Sequence, residues 1–475
     1  MMTPPDSTPS PLSHTEERAI LTVTCLAAFL FFNSFGSIGV ALPAMQKQFG
    51  NSLSEIQWIT LMGVVTISSL SFCFGRAGGR FGQRRLYKIG VVCYAAGAGF
   101  GAVSSSFMQL LGSRLVMAVG LAMALPMSTA IRAASFAPER RGQALGLFAS
   151  AVAVGRMTGP AVGGFLLQLG GWTWIFWMNF IVGSSVTLAV LKIFRGPGEM
   201  QREVFDTWGA LALLIGYPAL LIALTFGSAR GWRSAPVIAA FVLAGLGLAS
   251  FVYIELRAKK PLIDLTLFKQ RSLVAALLTI ACINLLSYPI ALAAPLYLQN
   301  VLGASAMGAG FLLAVLPLST ALASPISGRL ADRFDAAQIS GIGLALVVIG
   351  IAGYARLGTG SPLALVVLVF ALLGGGIGVF TPANQKIAFA SVSREDYGVL
   401  AAMLSSFGTA AGTIGTTVAV ALMELGGGKR LWTNGAAFAD AQQFAFACLV
   451  PVGLIAIGIA LASRRGSQAV LNTDP

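Results

Sequence analysis

Long apolar runs separated by short polar breaks fill nearly the whole chain. After a start rich in proline, serine and threonine, the first run extends over roughly 20–43. Further runs lie near 54–74, 87–106, 109–131, 143–168, 175–194, 207–227, 236–256, 272–298, 305–326, 338–357, 361–384, 397–423 and 441–463, which makes fourteen. Each has at least the roughly 20 residues that an α-helix needs to cross a bilayer core of about 30 Å. The pattern therefore predicts an all-α integral membrane protein. The first run is too long for the apolar core of a signal peptide and reads as an uncleaved span. Residues 1–18 read as a disordered tail and 464–475 as a second tail.

An internal repeat divides the fourteen spans. Gly75-Arg-Ala-Gly-Gly-Arg-Phe81 recurs as Gly328-Arg-Leu-Ala-Asp-Arg-Phe334, an offset of 253. At an offset of 256, Pro126 matches Pro382, Gly142 matches Gly398, Ser150 matches Ser406 and Gly159 matches Gly415. Two landmarks at nearly one offset indicate a duplicated unit. Six spans of about 30 residues would give an offset near 180, so the surplus fits two additional helices between the copies. The expected organisation is a six-helix half at 19–205, two linker helices at 206–271 and a second six-helix half at 272–463. Parallel six-span repeats belong to one large transporter fold, with the substrate held between them near the midplane.

Composition agrees: 56% of residues are apolar and 10% charged, with a mean hydropathy of +0.82. Soluble proteins carry about 25% charged residues, so a water-solvated globule is excluded. The net charge of +14 is distributed, not clustered. With the N-terminus in the cytoplasm, 23 of the 31 lysines and arginines fall in inner loops and tails. Six fall outside, and Arg114 and Arg156 lie within spans. That excess is the positive-inside signature. It predicts both termini in the cytoplasm and a multi-pass protein of the cell (inner) membrane, and it leaves no continuous patch for nucleic acid.

Much chemistry is excluded. The five cysteines, Cys25, Cys73, Cys93, Cys282 and Cys448, sit in apolar runs without paired spacing and read as small core residues. The sole histidine, His14, lies in the tail, and no GxxxxGK[ST] loop is present. Zinc sites, a Ser–His–Asp triad and a nucleotide motor are absent from the pattern. No enzyme, no cofactor and no metal is expected.

These residues resemble the major facilitator superfamily, in particular its fourteen-span drug:proton antiporter branch. The superfamily loop motif Gly-x-Leu-x-Asp-Arg-x-Gly-Arg-Arg is partly present over Gly75–Arg85, as Gly75, Arg76, Arg80, Gly82 and Arg84, with Ala77 and Gly79 in place of its Leu and Asp. The second copy keeps Gly328, Asp332 and Arg333. Span 4 carries the family's arginine as Arg114, with Gly120 after it. Span 5 holds Gly155-x3-Gly159-Pro160-x2-Gly163-Gly164, similar to the antiporter motif of exporters. Asp206-Thr-Trp-Gly209, Gly231-Trp232, Pro261-Leu-Ile-Asp264 and Tyr297-Leu-Gln299 are further signatures of the branch. Ala41-Leu42-Pro43 closes span 1 as in the branch, but the acid that precedes it there is Ser34 here. The resemblance ties that acid to proton coupling, and Ser34 offers no carboxylate for that route.

Several residues are candidates on their own chemistry. Arg156 lies near the middle of span 5, where a charge is costly unless it faces a cavity or a partner. It either braces helix carbonyls or faces the central cavity and meets an anionic group. Arg114, nearer the outer end of span 4, either braces a neighbouring helix or takes the role in proton transfer that the resemblance implies. Arg132, at the inner end of span 4, reads as a topology marker. Gly155, Gly159 and Gly163 form one stripe, for close packing or for a moving interface between the halves. Glu424, at the outer edge of span 13, is a surface carboxylate or, if dehydrated, a proton carrier. Asp332 suits a hydrogen bond to a helix N-terminus, and its loss at Gly79 makes the lock asymmetric. Asn33, Ser34, Asn284, Tyr288, Asn384 and Gln385 are polar positions within spans that line a pathway or join helices.

The expectation is a secondary active transporter working by alternating access, driven by protons, monomeric, and exporting neutral or anionic amphipathic molecules. A lipophilic cation in a low-dielectric cavity needs a carboxylate, and the spans offer arginines instead. A lipophilic-cation exporter, uptake of a solute, and a channel or receptor that has lost coupling are the alternatives.

Overall fold

The structure is a computed structural model describing residues 14–50, 53–56, 58–194, 206–258, 263, 265–393, 396–427 and 435–471. The expected tail over 1–13, the basic residues Arg195, Arg202, Lys259, Lys260, Arg394, Lys429 and Arg430, and Pro261, Leu262 and Asp264 lie outside these. Among the described residues there is no strand, and fourteen long helices follow one another. They are α1 (His14–Phe49), α2 (Trp58–Phe81), α3 (Gln83–Ala102), α4 (Phe107–Ser135), α5 (Pro138–Gly170), α6 (Thr173–Ile193), α7 (Thr207–Arg230), α8 (Ala235–Glu255), α9 (Arg271–Leu296), α10 (Ala306–Arg333), α11 (Ala336–Tyr354), α12 (Leu363–Ala390), α13 (Tyr397–Gly427) and α14 (Gly435–Leu471).

Thirteen of them are long and apolar enough to cross a membrane. The exception, α3, starts four residues before the expected span and takes Arg84, Arg85 and Lys88 into its first turns. Those charges are used: Lys88 Nζ donates to the Phe194 carbonyl at 3.1 Å, at the C-terminal end of α6, where the helix dipole favours a cation. Arg84 lies over the Phe194 ring. At the chain ends, α1 starts at His14, with Glu16 and Glu17 in its first turn, and α14 continues to Leu471. Both helices run into stretches that the polar pattern assigns to tails.

Capping residues explain where several helices begin. The side chains of Ser106, Asp206, Ser305 and Asp335 accept from the amides of Gln109, Gly209, Gly308 and Ala337, satisfying donors that a helix start leaves free. Gly82, at φ +86°, makes the sharp turn from α2 into α3, a conformation open to glycine at little cost.

Helices α1–α6 enclose one hydrophobic core, around Phe31, Tyr87, Met117 and Phe176. Helices α9–α14 enclose another, around Leu286, Val347, Phe370 and Phe446. The repeat reappears as packing. Gly90 and Gly120 bring the backbones of α3 and α4 together, and their repeat partners Gly343 and Gly376 do the same for α11 and α12. Helices α7 and α8 pack on each other at Gly216 and Gly247. The pair contributes Tyr217, Leu221 and Phe251 to a third core shared with α2, α4, α5, α9, α12 and α13, so it sits against the seam between the halves.

Candidate functional site

The two halves meet along α5 with α10 and α2 with α13. Close to the ends of α2 and α10 that carry the repeated motif, a methyl group on Gly142 would sit 2.5 Å from the Gly328 carbonyl oxygen. One on Gly75 would sit 2.7 Å from that of Gly398. These glycines are repeat partners, so the two crossings are one contact made twice. Two hydrogen bonds extend the contact inward. Ser150 Oγ donates to the Ala321 carbonyl at 2.6 Å, and its repeat partner Ser406 donates to that of Ser68 at 2.9 Å. The motif end is thus closed over about 12 Å of α5, from Gly142 to Ser150.

The electrostatics of this closure are not symmetric. The Asp332 carboxylate accepts from the amides of Gly142 and Gln143, both at 2.8 Å, and pairs with Lys386 at 2.8 Å. At the equivalent place in the first half stands Gly79, and the tie there is Arg76 with Asp396 at 3.2 Å. Asp332 lies deeper than Asp396, with side-chain exposures of 8% and 24%, so its hydrogen bonds are the less screened. Arg80 and Arg333 are exposed, and Arg80 lies over the Phe81 ring.

The glycine stripe of α5 faces α1 within its own half, not the opposite half. A methyl on Gly155 or Gly159 would lie 2.5 or 2.6 Å from the carbonyl oxygens of Phe29 and Asn33, and one on Gly163 would lie 2.5 Å from Ser37 Cα. Gly164 has open space beside it. The stripe is a packing seam, tied by Asn33 Nδ2 donating to Thr158 Oγ1 at 2.8 Å and by Ser37 Oγ donating to the Gly159 carbonyl at 2.8 Å. Ser34 is buried beside Tyr94, whose hydroxyl donates to Asn179 Oδ1.

Arg156 emerges from this seam. It is exposed, and its guanidinium lies 4.8 Å from the centre of the Phe32 ring on α1. Pro160 has no N–H to give to the Arg156 carbonyl, so the helix is loosened at that point. Arg114 is by contrast buried, with 4% exposure. Its Nε donates to the Ile59 carbonyl at 3.2 Å, and its charge lies 6.0 Å from the Phe35 ring. Phe32 and Phe35 share one face of α1, so α1 presents an aromatic surface to cations from both α4 and α5.

In the second half, Asn384 is buried and joins α12 to α9, donating to the Ala276 carbonyl and accepting from Thr279 Oγ1. Asn284 donates to the Ile280 carbonyl of its own helix and lies against Gly408, and the Tyr288 ring lies against Gly412. Glu424 is exposed, near the end of α13. The structure therefore puts Asn33 and Asn384 into helix–helix hydrogen bonds, Ser34 beside Tyr94, and Arg156 over Phe32.

Two features escaped the sequence reading. Arg132, read as a topology marker, is fully buried, and its guanidinium lies 3.3 Å from the centre of the Phe148 ring of α5. A sequence gives its distance from the end of a span but not the helix folded over it. Tyr217 of α7 donates to the Ser406 carbonyl at 2.7 Å, and Ser406 in turn donates to Ser68, so three helices are linked at the seam. An in-span tyrosine at a linker helix was the only available signal.

Comparison with known proteins places this architecture. The family model described as Major Facilitator Superfamily matches residues 24–254 and 275–473. The riboflavin transporter RibZ of Clostridioides difficile is 27% identical over 400 residues, covering 84% of this chain and 86% of that protein. The methylenomycin A resistance protein of Bacillus subtilis is 26% identical over 454 residues, covering 95% of this chain and 96% of that protein. The crystal structure of the human organic anion transporter MFSD10 (TETRAN) superposes with a TM-score of 0.68, at 17% identity, over 94% of this chain and 99% of the other, a likeness of fold.

Proposed function

The chain belongs to the Major Facilitator Superfamily, and from that premise we propose that it exports neutral or anionic amphipathic small molecules across the cell membrane in exchange for protons. It is a multi-pass membrane transporter and not an enzyme. In the proposed cycle the halves rock about a central cavity, and the positive-inside count puts the motif end in the cytoplasm. The state described above is then closed to the cytoplasm, with Asp332, Arg76 and the paired glycines as the inner gate.

The observation that carries the substrate class is Arg156. It is exposed at mid-helix, its partner in contact is the Phe32 ring, and no carboxylate pairs with it among the described residues. A guanidinium kept without a counterion in a low-dielectric setting attracts an anion, and the ring beside it suits the apolar body of an amphipath. Arg114, buried against the Ile59 carbonyl, is the coupling candidate, since the acid of span 1 is Ser34. Resistance and transport named for two relatives support export of small organic molecules.

The test is countercurrent exchange in proteoliposomes with fluorescein as the anionic probe. A carrier loaded inside with unlabelled probe drives transient uphill uptake of label, whereas a channel gives none. An imposed pH gradient that speeds export supports proton exchange, and indifference to it rejects proton coupling.

A further inference from the structure

Arg132 asks for a partner that the fold does not supply. It is fully buried and donates to Ser128 Oγ at 2.5 Å and to Thr129 Oγ1 at 3.1 Å, both on its own helix. Its flat face lies on Phe148. Its Nε has no hydrogen-bond partner, and neither has the hydroxyl of Tyr87 on α3, which is also fully buried. Tyr87 and Cys25 of α1 are its electrostatic neighbours, and among the described residues no carboxylate pairs with it. An uncompensated buried charge is costly, and buried polar groups are normally paired. Arg132 Nε and the Tyr87 hydroxyl are therefore two buried donors, electrostatic neighbours of each other, that the described residues leave unpaired.

The surroundings give the site its place. Helix α4 packs closely on α2 and α3 and only lightly on α1 and α5. Its face carrying Ser128 and Arg132 is turned towards Cys25 on α1 and Phe148 on α5. Arg132 is fully buried in this state, in which α5 and α2 are held to the opposite half by the Gly142–Gly328 and Gly75–Gly398 crossings; in the proposed cycle it becomes reachable when they part.

We propose that Arg132, with Tyr87 and the Phe148 ring, is an inner binding subsite that captures the carboxylate or sulfonate group of the organic anion before it reaches Arg156. The guanidinium offers Nε to one oxygen, the tyrosine hydroxyl donates to the other, and the ring fixes the plane of the fork. The proposal rests on the reading of anion export given above. It adds an earlier station for the same ligand class, on the other side of the closed state.

Cys25 supplies a reporter that reads the pocket without reading transport, so the site and the export reading fail separately. In the full chain carrying Cys73→Ala, Cys93→Ala, Cys282→Ala and Cys448→Ala, Cys25 is labelled in inside-out vesicles. The reagents are anionic 2-sulfonatoethyl and cationic 2-(trimethylammonium)ethyl methanethiosulfonate. A positive pocket favours the anionic reagent by about tenfold after correction for intrinsic reactivity, and fluorescein slows the reaction. Arg132→Gln removes both the preference and the protection. Arg132→Lys keeps the preference but weakens protection, because an ammonium lacks the planar fork. Tyr87→Phe, which leaves the charge in place, keeps the preference and weakens protection severalfold, and so decides the matter even where Arg132→Gln does not fold. A Cys25 unreactive from the cytoplasmic face overturns the proposal. So do equal rates for the two reagents, or fluorescein protection that survives both Arg132→Gln and Tyr87→Phe.

Discussion

Asp332, at the end of α10, accepts a 2.8 Å hydrogen bond from the backbone amide of Gly142 at the start of α5, and so holds one half of the molecule to the other. The same carboxylate takes the Gln143 amide and the Lys386 ammonium. A charge-assisted bond of this kind contributes about 1.5–3 kcal/mol, enough to bias a two-state equilibrium by more than tenfold.

Asp332→Asn is therefore expected to open the motif end. It halves the acceptor capacity and removes the charge that Lys386 meets. Distances between spin labels on α5 and α10 are expected to shift to a longer population, with export reduced. Unchanged distances would mean that the glycine crossing alone sets the closed state.

Arg76→Ala is expected to do less. The Arg76–Asp396 pair is part-exposed, and such pairs contribute about 0–1 kcal/mol. The same distance measurement, made on α2 and α13, is expected to show a shift smaller than that of Asp332→Asn. A larger shift would contradict the asymmetry read from Gly79.

Gly142→Val and Gly75→Val test the crossings themselves. A side chain at either position meets a backbone carbonyl of the opposite half, and backbone does not yield as a flexible side chain does. Each variant is expected to reach the membrane, stay open at the motif end and lose export. Accessibility of Leu145→Cys to a cytoplasmic thiol reagent checks this, and a closed, active Gly142→Val protein would reject it.

Arg114→Met separates two roles. Replacing a buried, uncompensated charge by an apolar side chain of similar length is often neutral or stabilising. The melting temperature of the purified protein is expected to hold or rise while transport falls. If stability collapses with transport, Arg114 is a brace for the Ile59 carbonyl, and its coupling role falls away.

Tyr217→Phe probes the inserted helices. The tyrosine hydroxyl bonds to the Ser406 carbonyl, and the ring meets Phe72 edge-on. Loss of the hydroxyl leaves the ring packing and costs about 1 kcal/mol. A lower melting temperature is expected, with the α2–α13 distance loosened, because Ser406 also holds Ser68.

What the sequence made legible follows from what repeats. The apolar runs marked all fourteen helices, and α3 differs only in starting four residues before its run, because Arg84, Arg85 and Lys88 belong to its first turns. The offset linking Gly75 with Gly328 and Gly142 with Gly398 turned out to be two copies of one backbone crossing. Partner choice was not legible. Nothing in the sequence told that Asn384 closes on α9, that the Gly155 stripe meets α1 and not the opposite half, or that Phe148 covers Arg132. Those facts depend on which helices lie side by side, and hydrophobic period leaves that open.

The central claim is that Arg156 selects an anion. Export from an exporter-deficient bacterial host should be compared for wild type, Arg156→Ala and empty vector, with fluorescein, a neutral drug and the lipophilic cation ethidium as probes. The account predicts that wild type lowers retained fluorescein relative to vector and that Arg156→Ala loses most of that effect. Ethidium export that survives the substitution, with fluorescein untouched by either protein, would contradict it.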